Sequence, residues 1–299
     1  MNQPEVICLG ETMALVTPTE AVPLEDASLF HLSVGGAEST VAMYLAEAGY
    51  RTSWASALGD DPFATRILRF LSSQGVDTSF VQVNREAPTG IYFKNPGRGS
   101  TRVHYYRSGS AASTMGEKTL DSLPLKGARL VHTTGITPAL SPSCNELMAA
   151  LSERLHSVGA KLSFDVNYRP GLWPVADAAP ALLKLARQAD YVFVGRDEAE
   201  TLWGTTTPAS IRDLIRPGGK LLVKDGSVGA TEFSADGEVF APANKVDVIE
   251  VVGAGDAFAA GYLAAELGNS PALECLQHGH ELAARTLRST SDFAPLLGP

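Results

Sequence analysis

Glu250-Val251-Val252-Gly253-Ala254-Gly255-Asp256-Ala257-Phe258 is the stretch on which the reading of this chain turns. Two glycines, one residue apart, lead straight into a predicted helix from Asp256 to Leu267. Such a turn leaves backbone N–H groups unpaired at the positive end of a helix dipole, and the missing Cβ atoms let an oxyanion come close. Asp256 at the same spot would repel a phosphate unless it took part in the chemistry. The task that suits it is to take a proton from a hydroxyl attacking that phosphate, while the N–H groups of Gly253, Ala254 and Gly255 hold the charge that develops. Read in isolation, the same residues also make an ordinary helix start, with an aspartate cap beside a glycine turn.

Outward from this turn, short apolar runs bounded by turn residues alternate with helical patterns. The runs are Val6 to Leu9, Arg129 to His132, Lys161 to Phe164, Tyr191 to Val194 and Lys220 to Val223. Helices are predicted over Ser39 to Ala48 (with Gly49 as its stop), Pro62 to Gln74, Cys144 to Val158 and Ala178 to Ala189. This rhythm predicts βαβ units: an α/β fold with a doubly wound, mostly parallel sheet flanked by helices. Two stretches break the rhythm. Met13 to Pro18 and Phe30 to Val34 read as short strands, as do Thr89 to Asn95 and Arg102 to Arg107, a hairpin joined through Pro96-Gly97-Arg98-Gly99. A small β-sheet lid built from insertions at about 12–34 and 88–108 on one domain spanning 1–299 is the expected organisation.

Composition bounds the function. The 299 residues carry 24 Lys plus Arg against 33 Asp plus Glu, a net charge of −9, and no basic block stands out to grip nucleic acid. Apolar residues make up 44 %, enough for a sizeable core. No basic, apolar leader and no run of the ~18 apolar residues that a membrane span needs is seen, so the expectation is a soluble cytoplasmic protein. Cys8, Cys144 and Cys275 match no zinc or redox spacing and read as small buried hydrophobes.

GAGDAF at 253–258 closely resembles the second signature of the ribokinase-like carbohydrate kinases, also called the phosphofructokinase-B family. The first signature resembles Gly35-Gly36-Ala37-Glu38-Ser39-Thr40-Val41-Ala42, followed by Ala48-Gly49 and Leu58-Gly59-Asp60-Asp61-Pro62-Phe63-Ala64. The likeness runs from Val6 to Pro295. It implies ATP-dependent transfer of the γ-phosphate to a sugar hydroxyl with Mg²⁺, Asp256 as general base, and Gly253, Ala254 and Gly255 as the anion hole. A Walker A motif is absent, so phosphate binding is not of the P-loop kind.

Val103-His104-Tyr105-Tyr106-Arg107-Ser108-Gly109-Ser110, Gly10-Glu11-Thr12-Met13 and Gly135-Ile136-Thr137-Pro138 resemble segments of 2-keto-3-deoxygluconate kinases. Asp165-Val166-Asn167-Tyr168-Arg169, running on to Leu172-Trp173, fits a pattern widespread among the sugar kinases. The resemblance implies a substrate pocket lined by Gly35, Gly36, Tyr92, Tyr105, Arg107, Ile136 and Arg169. A sugar acid needs a charge-assisted partner, and a guanidinium grips both carboxylate oxygens; Arg107 and Arg169 are the candidates. Arg169 could instead serve the transferring phosphate, and Tyr105-Tyr106 could simply be a packed strand face. On the nucleotide side the resemblance places Lys224, Ser227, Gly229 and Gly255 near phosphates or ribose, and the stretch from His278 to Asp292 beside the adenine. Asp197 and Glu198 are the expected Mg²⁺ residues.

Three positions depart from the family pattern: Thr40 and Gly195 each replace a common Asn, and Glu250-Val251-Val252 replaces the frequent D-T-T, so a monovalent cation is not expected. Two other acceptors or roles stay open beside the sugar acid: a neutral sugar or nucleoside, as for a fructokinase or ribokinase, and a non-catalytic sugar-binding regulator. Exposed lid edges predict a homo-oligomer through the lid.

Overall fold

The computed structural model describes residues 3–96 and 102–296. Thirteen strands are assigned among them. These are β1 (Val6–Leu9), β2 (Met13–Pro18), β3 (Phe30–Gly35), β4 (Thr52–Gly59), β5 (Val81–Asn84), β6 (Ile91–Asn95), β7 (Arg102–Tyr106), β8 (Leu130–Thr134), β9 (Lys161–Asp165), β10 (Tyr191–Gly195), β11 (Lys220–Asp225), β12 (Gly229–Ser234) and β13 (Gly237–Pro242). The α-helices are α1 (Ala37–Glu47), α2 (Pro62–Ser73), α3 (Ile136–Ala139), α4 (Pro142–Val158), α5 (Val175–Gln188), α6 (Arg196–Trp203), α7 (Pro208–Ile215), α8 (Ala254–Leu267) and α9 (Ala272–Leu287).

Nine strands form one sheet in the order β13-β12-β11-β10-β9-β8-β1-β4-β5, parallel except for β12 and β13. Its central strands are apolar runs because both faces are covered. Ile7 and Leu9 point to one face with Val131, Phe164, Val192 and Val194, where α4 and α5 bring Leu147, Leu151, Leu182 and Leu185. Val6 and Cys8 point to the other with Trp54, Phe193 and Leu222, against Val41, Leu45, Ile67, Tyr262 and Leu263 of α1, α2 and α8. This is the doubly wound arrangement read from the sequence. The strand order reverses beside β1, which pairs with β8 on one side and β4 on the other. Ligands of open α/β sheets bind outside the carboxyl ends of the strands at such a switch point.

A second sheet, β3-β2-β6-β7, uses the two stretches that broke the βα rhythm. It is mixed: β2 runs antiparallel to β3 but parallel to β6, and β6–β7 is an antiparallel pair. Most of the expected turn Pro96-Gly97-Arg98-Gly99 lies outside the described residues. β6 starts at Ile91 rather than Thr89 because Thr89 is held elsewhere. Its N–H donates to Asp61 Oδ2 (2.8 Å), and its hydroxyl accepts from Gly59 N–H (3.0 Å). Asp61 Oδ1 meanwhile accepts from Ala64 N–H (2.9 Å) as the cap of α2, with Pro62 at the first helical position. The Gly59-Asp60-Asp61-Pro62 motif is thus an anchor between the large sheet, a helix and the small sheet.

Helix starts fall earlier than expected where a cap precedes the apolar pattern. Ser141 caps α4 by accepting from Cys144 N–H (3.1 Å), and Pro142 extends that helix. All three cysteines are free and buried. Among the described residues, no helix is long and apolar enough to cross a membrane.

Candidate active site

The carboxyl ends of β1, β9, β10 and β11 deliver Glu11, Asp165, Gly195 and Lys224 to one cleft of about 660 Å³, roofed by the small sheet and closed by the start of α8. Of the residues singled out from the sequence, Gly35, Gly36, Tyr92, Tyr105, Arg107, Ile136, Arg169, Asp197, Glu198, Lys224, Gly253, Gly255 and Asp256 all line it. Ala254 is the first residue of α8. Ser227 and Gly229 are not among the lining residues: Ser227 is exposed, and Gly229 opens β12 beside Ala241 and Phe240. Gly226, in the same turn, does line the wall.

Two close approaches explain the glycine motifs. A Cβ on Gly35 would run into the Tyr92 hydroxyl and Asp292. Gly253 has a left-handed φ of +84°, and a Cβ there would stand 2.8 Å from the Asp292 carbonyl oxygen. Gly253 turns the chain into α8, where Ala257 N–H makes the first full helical bond, to Gly253 O (2.9 Å). Among the described residues, Gly255 N–H and Asp256 N–H have no backbone acceptor. They are the free donors of the helix N-terminus.

Asp256 sits among charges. Burial pushes its carboxyl up from an ordinary value of 3.8 to about 7; Asp165 adds to this, while Arg169 and Lys224 oppose it. A carboxylate poised near neutral pH can accept a proton and release it again. Asn167 Nδ2 donates to Asp256 Oδ1 (3.2 Å), and Asn167 itself has a left-handed φ of 40°. Its buried Oδ1 has no partner among the described residues, which leaves an acceptor beside the base. Strained backbone of this kind gathers at functional sites.

Lys224 Nζ donates to Asp165 Oδ2 (2.6 Å). Burial disfavours its charge, but Asp165 and Glu198 outweigh burial and hold its pKa above the usual lysine value. Glu198 accepts from Gly195 N–H (2.7 Å) and Tyr168 N–H (3.0 Å), and burial pushes its carboxyl up.

Arg107 is not the free clamp that the sequence suggested. It is buried, and its Nε donates to Glu11 Oε2 (2.6 Å), with Nη2 on the same oxygen. Ser110 Oγ holds the other Glu11 oxygen (2.5 Å). The guanidinium also lies over the Tyr105 ring at 5.4 Å. Among the described residues only Nη1 lacks an acceptor, so Arg107 presents one oriented N–H edge instead of a whole fork. Arg169 is half-buried, with Nη1 donating to Tyr168 O (3.1 Å).

The sequence reading missed Glu11, Asp165, Asn167 and Asp292 as parts of the wall. Asp165-x-Asn167 at a strand end was the available signal. Asp292 stood only at the end of the stretch expected beside the adenine, because its neighbours in space, Tyr92 and Gly35, are some 200 or more positions away in sequence. His278 and His280, expected beside the adenine, are in α9. His280 is buried, with Nε2 3.1 Å from the Ala241 carbonyl and its ring against Phe258.

The lining carboxylates Glu11, Asp165, Asp197, Glu198, Asp256 and Asp292 outnumber the cations Arg107, Arg169 and Lys224. A polyanion entering such a cleft needs a divalent counter-charge. The oxygen-only donors fit Mg²⁺, and among the described residues no group of three His, Cys, Asp or Glu forms a preset cage. Magnesium suits that setting because it keeps several waters and takes phosphate oxygens as ligands.

The profile of the pfkB family carbohydrate kinases matches residues 3–296. The 2-dehydro-3-deoxygluconokinase of Bacillus subtilis (strain 168) is 35 % identical over 295 residues, covering 97 % of this chain and 91 % of that one. The 2-dehydro-3-deoxygluconokinase of Thermoproteus tenax is 36 % identical over 267 residues, 87 % of this chain and 81 % of that one. The solved structure of a PfkB protein from Polaromonas sp. JS666 superposes with a TM-score of 0.89 at 34 % identity, covering 96 % of this chain and 97 % of that one. The match to the family profile over nearly the whole chain, with two relatives above 30 % identity and a superposing fold, shows that this chain belongs to the pfkB family of carbohydrate kinases.

Proposed function

We propose that the chain transfers the γ-phosphate of ATP to the terminal hydroxyl of 2-keto-3-deoxygluconate or a closely related sugar acid. The observation that carries this is one cleft in which Asp256, beside the unpaired amides of α8, faces the guanidinium groups of Arg107 and Arg169 and the small-sheet residues Tyr92 and Tyr105. The two similar enzymes named for 2-dehydro-3-deoxygluconate, an equivalent name for that sugar acid, support the choice of acceptor.

In this reading Arg169 and the free edge of Arg107 take the sugar carboxylate, and Gly35, Gly36 and Ile136 shape the floor. Asp256 accepts the proton of the attacking hydroxyl. The new bond forms from that oxygen to the γ-phosphorus as the bond to the ADP oxygen breaks. The amides at Gly253, Gly255 and Asp256 hold the phosphate oxygens, whereas Ala254 N–H, expected among them from the sequence, is turned back to Val251 O (3.4 Å); positioning and electrostatics supply the catalysis. Lys224 and Gly226 lie on the nucleotide side. Mg²⁺, which would neutralise the phosphates, would be held through Asp197 and Glu198. Both Glu198 oxygens already accept N–H groups, so it would act largely through coordinated water. The small sheet acts as the lid, and its exposed Phe30 and Tyr106 favour pairing with a second copy, which sedimentation would read.

The test is a coupled assay of ADP release with sugar acids and neutral sugars side by side. A marked preference for fructose or ribose over 2-keto-3-deoxygluconate overturns the acceptor assignment. Ligand binding without ADP from any sugar overturns the enzymatic reading.

A further inference from the structure

Lys94, the fourth residue of β6, carries its charge into the protein. Its side chain is 3 % exposed. Nζ donates to Asp292 Oδ1 at 2.9 Å and lies 4.0 Å from Glu250 Oε2. Tyr92, two positions earlier and so on the same face of the strand, donates its hydroxyl to the other oxygen, Asp292 Oδ2 (3.0 Å). One strand of the small sheet therefore occupies both oxygens of Asp292.

The two acids held by Lys94 flank the anion-binding turn. Glu250 precedes it, and Glu250 Oε1 accepts from Val251 N–H (2.9 Å) and Val252 N–H (3.4 Å), the residues that lead into Gly253. Asp292 lies over the turn, its backbone in contact with Gly253. With side chains only 14 % and 8 % exposed, the two carboxylates would face each other with little water between them if the ammonium were withdrawn. An uncompensated buried charge is strongly unfavourable, so the segments that carry these acids would move apart. Lys94 is not among the residues lining the cleft, so it acts through others.

We propose that Lys94 is a positioning residue for phosphoryl transfer, a fixed internal cation that couples seating of the small sheet to alignment of the Gly253–Asp256 turn. With β6 seated, the ammonium draws Glu250 and Asp292 together, and the free amides of α8 come into register. With β6 displaced, the two acids repel and the turn relaxes. The inference rests on the phosphoryl-transfer reading of the site and not on which sugar accepts the phosphate.

The test measures kcat and KM with whichever acceptor sustains ADP release in the parent. A wrong acceptor assignment then shows in the parent, and a wrong role for Lys94 shows only in the variants. Lys94→Met is expected to lower kcat by about 30-fold or more while changing the KM for ATP less than about threefold, the pattern of lost transition-state alignment. Lys94→Arg, which keeps the charge, should retain at least about ten times the kcat of Lys94→Met, and ethylammonium added to Lys94→Ala should restore turnover at least about fivefold. A merely structural lysine would move the melting midpoint and give no rescue by the added cation. Lys94→Met within about threefold of the parent, equal kcat for Met and Arg, or no response of Lys94→Ala to ethylammonium overturns the proposal. If Lys94→Met shows no cooperative melt, Lys94→Gln takes its place, and equal kcat for Gln and Arg overturns it.

Discussion

Asp256→Asn should make the protein more stable as it makes the enzyme slower, and the stabilisation should depend on pH. The folded carboxyl titrates near 7 instead of 3.8, with burial as the main cause and Asp165 as the next. A raised carboxylate pKa means that the unfolded chain ionises first. Folding then loses stability as pH climbs from about 4 to about 7 and levels off above that. A rise of roughly three units at about 1.36 kcal/mol each sets a ceiling of about 4 kcal/mol. The side chain is partly open to the cleft, so solvent screening reduces this to about 1–2 kcal/mol. At about 2.1 cal/mol/K of unfolding entropy per residue, a chain of this length shifts by roughly 1.6 °C per kcal/mol, which gives a midpoint about 2–3 °C higher for Asn at pH 8. Near pH 4, where the folded carboxyl is protonated and the unfolded one is only about half ionised, the gain should shrink to a small remainder. Turnover should fall by about 10²–10⁴ at pH 8 through loss of the base. Thermal melts of parent and variant from pH 4 to pH 8, with initial rates on the same samples, check both halves. A midpoint difference that is constant over that range would refute the electrostatic account of Asp256.

Three further outcomes follow from the same geometry. In the parent, kcat/KM should fall tenfold per pH unit below about 7 as Asp256 takes up its proton, and the residual rate of Asp256→Asn should lack that limb; a pH profile reads this directly. Arg107→Ala should raise the KM for the sugar acid by about tenfold or more, through loss of the oriented N–H edge and of the ion pair that holds Glu11, and leave nucleotide binding nearly intact; calorimetric titration of each ligand separates the two, and unchanged sugar-acid affinity removes Arg107 from the acceptor site. Gly253→Ala forces a Cβ to 2.8 Å from the Asp292 carbonyl at a left-handed φ, so it should cost about 1–3 kcal/mol and depress turnover; a variant that melts and turns over like the parent would mean that the turn is looser than its contacts indicate.

The large sheet was legible because parallel strands buried on both faces must be apolar runs, and Val6–Leu9 or Tyr191–Gly195 can hardly be read otherwise. The Gly253–Asp256 turn was legible because its chemistry is local: every group it needs lies within four residues. The small sheet was legible as strands, and the antiparallel β6–β7 pair as a hairpin, but the pairing of β2 with β6 was not. Nothing in the sequence foretells that β2 and β6, some eighty residues apart, run parallel. The same limit hid the partners in the cleft. Glu11 stood in the segment that resembles the 2-keto-3-deoxygluconate kinases, but nothing local pairs it with Arg107, 96 positions away. Lys94 and Asp292 are separated by 198 positions, and a contact between distant segments leaves no periodic trace. Helix α9 escaped because His278-Gly279-His280 breaks its apolar pattern, and only packing shows why: Gly279 lets the helix approach Phe258.

The three thiols also bear on how the roof can be watched. Cys8, Cys144 and Cys275 show no accessible surface, and burial raises the pKa of each sulfhydryl, so maleimides and iodoacetamides should find little thiolate to attack in the native state. A cysteine placed at exposed His104 of β7 would then be the reactive handle, and a fluorophore there could follow opening and closing without first stripping the natural sulfurs from the interior.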